Sequence, residues 1–218
     1  MATRIYTMIV VVTFLASALP ATAAEDESAA LFNGRDLTGW TYHLNKPNVP
    51  MEDVWSAKDG KLVCKGQPVG YLLTKKKDLE NYVLTLEWRW PEKPGNNGVL
   101  VHVTKPGALG VWPKCLEVQL GNGDAGDFWV IGTTIDVPDI DKRKEDRRHL
   151  NLTDDSEKPL GEWNQLEITC SGDEVIVKVN GVLVNHATKV SQTKGAIALQ
   201  SEGAPIEYRN IKLRKLAE

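Results

Sequence analysis

Cysteine, methionine, phenylalanine and histidine are scarce in this chain, at three, three, three and four residues in 218. The cysteines, Cys64, Cys115 and Cys170, follow no zinc-site spacing. Their odd number leaves at least one thiol unpaired within the chain, so one disulfide or three buried thiols both remain open. Charge of one sign is also missing: the formal net charge is −3. That mild acidity gives no reason to expect nucleic acid or an anionic membrane as a partner. No long helical period runs through the sequence. Its longest apolar run, Ile5–Leu19, has 15 residues, short of the roughly 20 that span a bilayer.

That apolar run belongs to a targeting segment. Arg4 provides the positive start and Ala21-Thr22-Ala23 a small-x-small cleavage site, so residues 1–23 read as a signal peptide. A signal anchor is the alternative. No cysteine follows the run, which argues against lipoprotein processing. The expected product is a secreted or periplasmic domain over residues 24–218, long enough for one all-β domain with a substantial core.

Short alternating runs separated by turn signals recur along this domain. Tyr82–Trp90 sets Tyr82, Leu84, Leu86, Trp88 and Trp90 against Val83, Thr85, Glu87 and Arg89. Gly98–Val103, Cys115–Leu120, Gln165–Cys170, Glu174–Val179, Val182–Asn185, Gly195–Gln200 and Ile206–Leu213 are further strand candidates. Asn180-Gly181 and Asp59-Gly60 mark hairpin turns. Roughly ten split-faced strands joined by tight turns predict an all-β, two-sheet antiparallel sandwich, with a closed barrel as the alternative. The segment 136–159 contains DKRKEDRRH and little apolar content. It reads as a solvated loop, though long loops also border binding sites.

With the oily faces turned inward, parity places Glu87, Arg89, His102, Glu117, Gln119 and Gln200 together on one sheet face. Acid, guanidinium and amide groups so concentrated suit a polar ligand such as a sugar. Each also has a plain structural role: Glu87 and Arg89 can pair across the sheet, and His102 can be an ordinary satisfied histidine. Glu117 and Gln119 carry the strongest case, because Trp112 and Trp129 flank their strand and an indole face can stack on a sugar ring. Asn96, Asn97 and Asp127 are rim candidates. Tyr208 and Trp88 read as core, and Trp163 as a cap on it. No metal-ligand motif is local in the sequence, and no cofactor is expected; a divalent ion would need His102, Glu87 and Glu117 to converge.

Several phrases, in order, carry a family resemblance: LFNGRDLTGW from Leu31, LEWRW from Leu86, NNGVLVHV from Asn96, LEVQL from Leu116, GEWNQLEI from Gly161, VNGVLVN from Val179, then GAIALQ and IEYRNIKL. Over residues 30–216 the chain resembles the 3-keto-disaccharide hydrolase domain family. That resemblance implies a concanavalin A-like jelly roll, similar to lectins and glucanases, with one concave sheet as the ligand face and a small carbohydrate or glycoside as partner. Laminarinase-like relatives of such a fold carry Glu-x-Asp-x-x-Glu on one strand. Here the run is Glu117-Val118-Gln119-Leu120-Gly121-Asn122, with amides at two of the three acid positions, against a standard retaining mechanism there.

The family resemblance implies a different reaction. A ketone at C3 of a sugar acidifies the C2 hydrogen, a base removes it, the C1 substituent leaves by β-elimination, and water adds afterwards. His102 or Glu117 is the expected base, and Arg89 the expected partner of the enolate oxygen. Gln119, Glu87, Trp112, Trp129, Asn97 and Gln200 would bind substrate. The competing class is a non-catalytic carbohydrate-binding module using the same face.

Overall fold

Alternation with period two dominates the chain, and its strands pair antiparallel throughout. The computed structural model describes residues 28–216, so the expected signal peptide lies outside the described residues. In chain order the first strands are β1 (Ala29–Ala30), β2 (Trp40–Leu44), β3 (Trp55–Lys58), β4 (Lys61–Cys64), β5 (Gly70–Thr74) and β6 (Tyr82–Arg89). Next come β7 (Gly98–Val103), β8 (Cys115–Gln119), β9 (Phe128–Ile131), the one-turn helix α1 (Ile140–Arg143), β10 (Lys144–Glu145) and β11 (Arg148–His149). The domain closes with β12 (Asn164–Ser171), β13 (Glu174–Val179), β14 (Val182–Ala187), β15 (Ala196–Ser201) and β16 (Ile206–Lys215).

These strands form two open sheets rather than a closed barrel. The first runs β14-β13-β12-β6-β16-β4-β3, with β1 added to β16; the second runs β10-β11-β9-β8-β7-β15-β5-β2. Their facing sides make one core. Tyr82, Leu84, Leu86 and Trp88 of β6, with Leu166 and Ile168 of β12, meet Val99, Val101, Leu116, Val118 and Leu199 from the second sheet. Each such side chain stabilises the fold by about 1.5–3 kcal/mol on burial. Trp88 and Tyr208 are fully buried there, as the pattern predicts.

Register decides which groups reach the other face of the second sheet. Glu117 lies opposite Leu100 and Trp129, Gln119 opposite Gly98, and Gln200 opposite Tyr71. Directly paired residues project to the same side, so this row stands away from the core. A second, smaller apolar cluster covers one end of that face: Tyr71, Leu100, Val103, Cys115, Ile131, Ala196 and Ala198, with Leu73 and Trp112 packed on it.

Between β7 and β15 the register slips by one residue, since Ala198 pairs with Leu100 but Ala196 with Val103. The extra residue is accommodated around His102, whose φ is 56°, a left-handed conformation suited to a bulge. The charged segment is tied down more firmly than its composition predicts. Arg143 is buried and donates to the carbonyls of Pro138 (3.0 Å) and Leu150 (2.8 Å) and to Asn185 Oδ1 (2.6 Å). All three cysteines are buried free thiols, and burial raises the pKa of each.

Candidate active site

The row on β8 opens into a cavity of about 240 Å³ at the outer face of the second sheet. Glu117 and Gln119 form its floor, with Gln200 beside them. Trp112, Trp129, Leu109 and Ile131 supply apolar walls, and Asn96, Glu202 and Arg147 supply polar ones. Gly98 sits in the middle of the row. A Cβ there would stand 2.9 Å from Glu117 Cγ and 3.0 Å from Gln200 Oε1, so its bare backbone is what lets the two side chains approach. Arg147 comes from the tight turn joining β10 to β11, where Asp146 takes φ 55°. Its guanidinium lies over the Trp129 ring, 5.4 Å from the centroid, a cation–π contact that steadies a half-exposed charge.

Electrostatics set Glu117 apart. Burial, and then the nearby Glu202 carboxylate, push its pKa up to about 8; a hydrogen bond with Gln200 and the charge of Arg147 oppose the rise. At neutral pH this carboxyl is therefore mostly protonated and able to donate. Burial also raises Glu202, against a hydrogen bond from Asn96. Two carboxyls lining one cavity disfavour double ionisation. Gln119 is fixed by its own strand end: Oε1 accepts from the backbone N–H of Leu120 (3.0 Å) and Gly121 (2.9 Å). Gln200 Oε1 and Trp129 Nε1 are buried without a protein partner.

Of the residues expected at the site, the structure brings Glu117, Gln119, Gln200, Trp112 and Trp129 together, and the rim candidate Asn96 with them. Four expectations require correction. Glu87 and Arg89 belong to β6 in the first sheet, so their solvent face is on the opposite side of the sandwich. There Glu87 accepts from Arg209 (2.7 Å) and Asn210 (2.7 Å), and Arg89 pairs with Glu207 at 2.7 Å. Equal parity in two strands does not make one face when the strands lie in different sheets. His102 misses the cavity because the bulge reverses its side. Its ring packs edge-on against core residue Tyr82 at 5.8 Å, and Nδ1 bonds the Gln192 carbonyl at 2.8 Å. Asn97 also turns inward, donating to the Gln200 carbonyl at 2.8 Å and accepting from Tyr208.

Among the remaining candidates, Asp127 is occupied by Arg148 (2.6 Å) and the Asn151 amide (2.6 Å). Trp163 caps no core; it lies between Arg89 and Arg209, whose guanidiniums are 4.7 and 4.1 Å from its ring. Glu87, His102 and Glu117 do not converge, and among the described residues no group of three or more His, Cys, Asp or Glu is disposed to hold a metal ion. Two functional groups escaped the sequence reading. Glu202 was within reach of it, two residues beyond Gln200 on the same parity. Arg147 gave no signal, because only the β10–β11 turn lifts it from a run of similar charges.

A carboxyl kept neutral by burial, a second carboxyl, a guanidinium and an indole face thus surround one hollow. Residues 27–214 match the family described as the 3-keto-alpha-glucoside-1,2-lyase-like domain. The chain belongs to this family. Membership sets it among carbohydrate-active, glycosyl hydrolase-like domains. No curated protein matches it in sequence. Among solved structures it is similar to a candidate glycosyl hydrolase from Parabacteroides distasonis, with 22% identity and a TM-score of 0.64 over 87% of this chain and 94% of that one. It is also similar to the carbohydrate-binding module CBM66 from Bacillus subtilis, with 11% identity and a TM-score of 0.59 over 82% and 96%. These likenesses establish the shared two-sheet jelly roll.

Proposed function

We propose that this domain is an exported enzyme that cleaves the glycosidic bond of 3-keto glycosides by elimination, with Glu117 as the proton donor. The observation that carries the reading is the cavity in which Glu117 lies buried beside Glu202 and Arg147, a setting in which burial raises its pKa to about 8. A donor that is still protonated at neutral pH is what an alkoxide leaving group needs.

In this mechanism Glu202 is the base. Its carboxylate takes the proton from C2, and the C–H electron pair forms the C2=C3 enolate with the negative charge on the C3 oxygen. Among the described residues that line the cavity, Arg147 is the one cation, and it opposes that charge. The enolate then reforms the C3 carbonyl, its electrons make the C1=C2 double bond, and the C1–O bond breaks. Glu117 protonates the departing oxygen. Water can add across C1=C2, hydroxyl to C1 and hydrogen to C2, which completes a net hydrolysis. The Trp129 face suits the sugar ring. Relative to the sequence-based expectation, the base moves from His102 or Glu117 to Glu202, and the enolate partner from Arg89 to Arg147.

The test is a panel of 3-keto glycosides and their unoxidised parents, with release of the C1 substituent as the signal. Cleavage of the oxidised compounds alone is expected, with Glu117→Gln and Glu202→Gln each about 10²–10⁴-fold slower. Equal cleavage of the parents would point to ordinary glycoside hydrolysis. Binding of the ketones without turnover would make the domain a binding module.

A further inference from the structure

Resting on that reading, we propose that Gln119 selects the oxidised sugar: it offers the cavity only hydrogen-bond donors, and so recognises a ring ketone in preference to a ring hydroxyl. A glutamine side chain ordinarily has both an acceptor and two donors, and it can turn over to suit either kind of ligand. Gln119 cannot. Its oxygen accepts from two backbone N–H groups, Leu120 at 3.0 Å and Gly121 at 2.9 Å. Turning the amide over would set its NH2 against both N–H groups: Leu120 N–H would keep its 2.7 Å bond to the Asn97 carbonyl, but Gly121 N–H would lose its acceptor and face another donor. Chemistry, rather than packing, therefore fixes which end is which.

The backbone at this point allows the clamp. Gly121 carries no side chain, and a Cβ on it would stand 3.3 Å from Gln119 Oε1 and 3.3 Å from Cδ, crowding the amide where it bends back. The oxygen being taken up in this way, the NH2 is the end left for the cavity that Gln119 lines. Gln200 supplies the opposite polarity. It is 1% exposed, lines the same cavity, and its Oε1 is buried without a protein partner. An acceptor left empty at such depth is costly unless a ligand donor fills it.

The two amides thus form an ordered pair, one donating and one accepting, on the same row with Gly98 of β7 between them. A 3-keto sugar matches the pair when its carbonyl oxygen meets Gln119 and a neighbouring hydroxyl meets Gln200. An unoxidised sugar can also accept from Gln119, but as an sp³ hydroxyl that must then direct its own hydrogen elsewhere. Sites that bond a specific polar group reject the analogue lacking it far better than apolar pockets reject a size difference.

The experiment measures binding of methyl 3-keto-α-glucoside and of methyl α-glucoside by calorimetry, on the Glu117→Gln protein so that no turnover intervenes. That protein is compared with the same protein carrying Gln119→Glu or Gln119→Met. Thermal melting confirms that each is folded. The Gln119 parent is expected to hold the ketone about tenfold or more tighter than the alcohol. Gln119→Glu keeps the two backbone bonds but turns an acceptor to the cavity, and should erase or reverse the preference. Gln119→Met, with neither donor nor acceptor there, should lose affinity for the ketone and little for the alcohol. A ketone preference unchanged in both variants overturns the inference and leaves the elimination reading standing. If the unsubstituted enzyme does not cleave the ketone and the Glu117→Gln protein does not bind it, the reading falls and this inference with it.

Discussion

A Cβ placed on Gly98 would lie 2.6 Å from a carboxyl oxygen of Glu117. That separation is below van der Waals contact, so the glycine and the buried acid are a matched pair. Gly98→Ala must displace the carboxyl within a site that has little slack, because Gln200 borders the same space. The expected cost is about 1–3 kcal/mol of stability and about a hundredfold in kcat/KM, since small misplacement of a reacting group is that costly. Urea melts and steady-state rates on Gly98→Ala check both numbers. An unimpaired variant would show that the acid does not need its present position.

Glu117 should also mark the pH dependence of the fold. A carboxyl raised from 4.5 to about 8 lends stability that is fully present below pH 4.5 and is lost as pH rises through 8. Each pH unit within that window is worth about 1.4 kcal/mol. Glu117→Gln imitates the neutral acid at every pH. Its melting temperature should therefore match that of the unsubstituted protein near pH 4.5 and exceed it near pH 9. Parallel curves across this range would mean that Glu117 is ionised in the folded state.

His102 and Arg89 should separate cleanly from catalysis. Burial lowers the pKa of His102 from 6.5 to about 4, so its neutral ring supports the fold above pH 6.5 and that support is lost as pH falls toward 4. His102→Ala should lower stability by about 2–4 kcal/mol through a cavity and a lost bond to Gln192, while kcat of the folded fraction stays within about threefold. Arg89→Ala removes a surface ion pair with Glu207 and should change stability by about 1 kcal/mol or less, with no change in rate. A drop of several orders of magnitude in kcat from either substitution contradicts the site described above.

Much of this architecture is legible in alternation alone. The core stripes of β6, β12 and β16 and the polar row of Glu117, Gln119 and Gln200 follow from parity, because each strand buries one face. Parity says nothing about which sheet a strand joins, and for that reason it groups Arg89 and Glu87 with residues across the sandwich. Nor does it survive a bulge: one left-handed residue at His102 reverses every side chain until the register recovers. Asn97 beside Asn96 shows the same sensitivity, as neighbours on a strand face opposite ways. β9 is a four-residue apolar run without alternation, and β10 and β11 are two-residue strands among charges, so neither β9 as a strand nor Arg147 over the cavity has a periodic signal. Their positions depend on long-range anchors such as Arg143 to Asn185 and Arg148 to Asp127.

The central claim is that a protonated Glu117 delivers the proton to the leaving group, and the pH profile of kcat/KM for a 3-keto glycoside tests it most directly. Activity should fall with rising pH on a limb near 8. That limb should move upward in Arg147→Ala, since Arg147 holds the Glu117 pKa down, while the peak rate drops about a hundredfold. Rates that stay level through pH 9.5, or a limb that Arg147→Ala leaves in place, contradict the assignment of the acid.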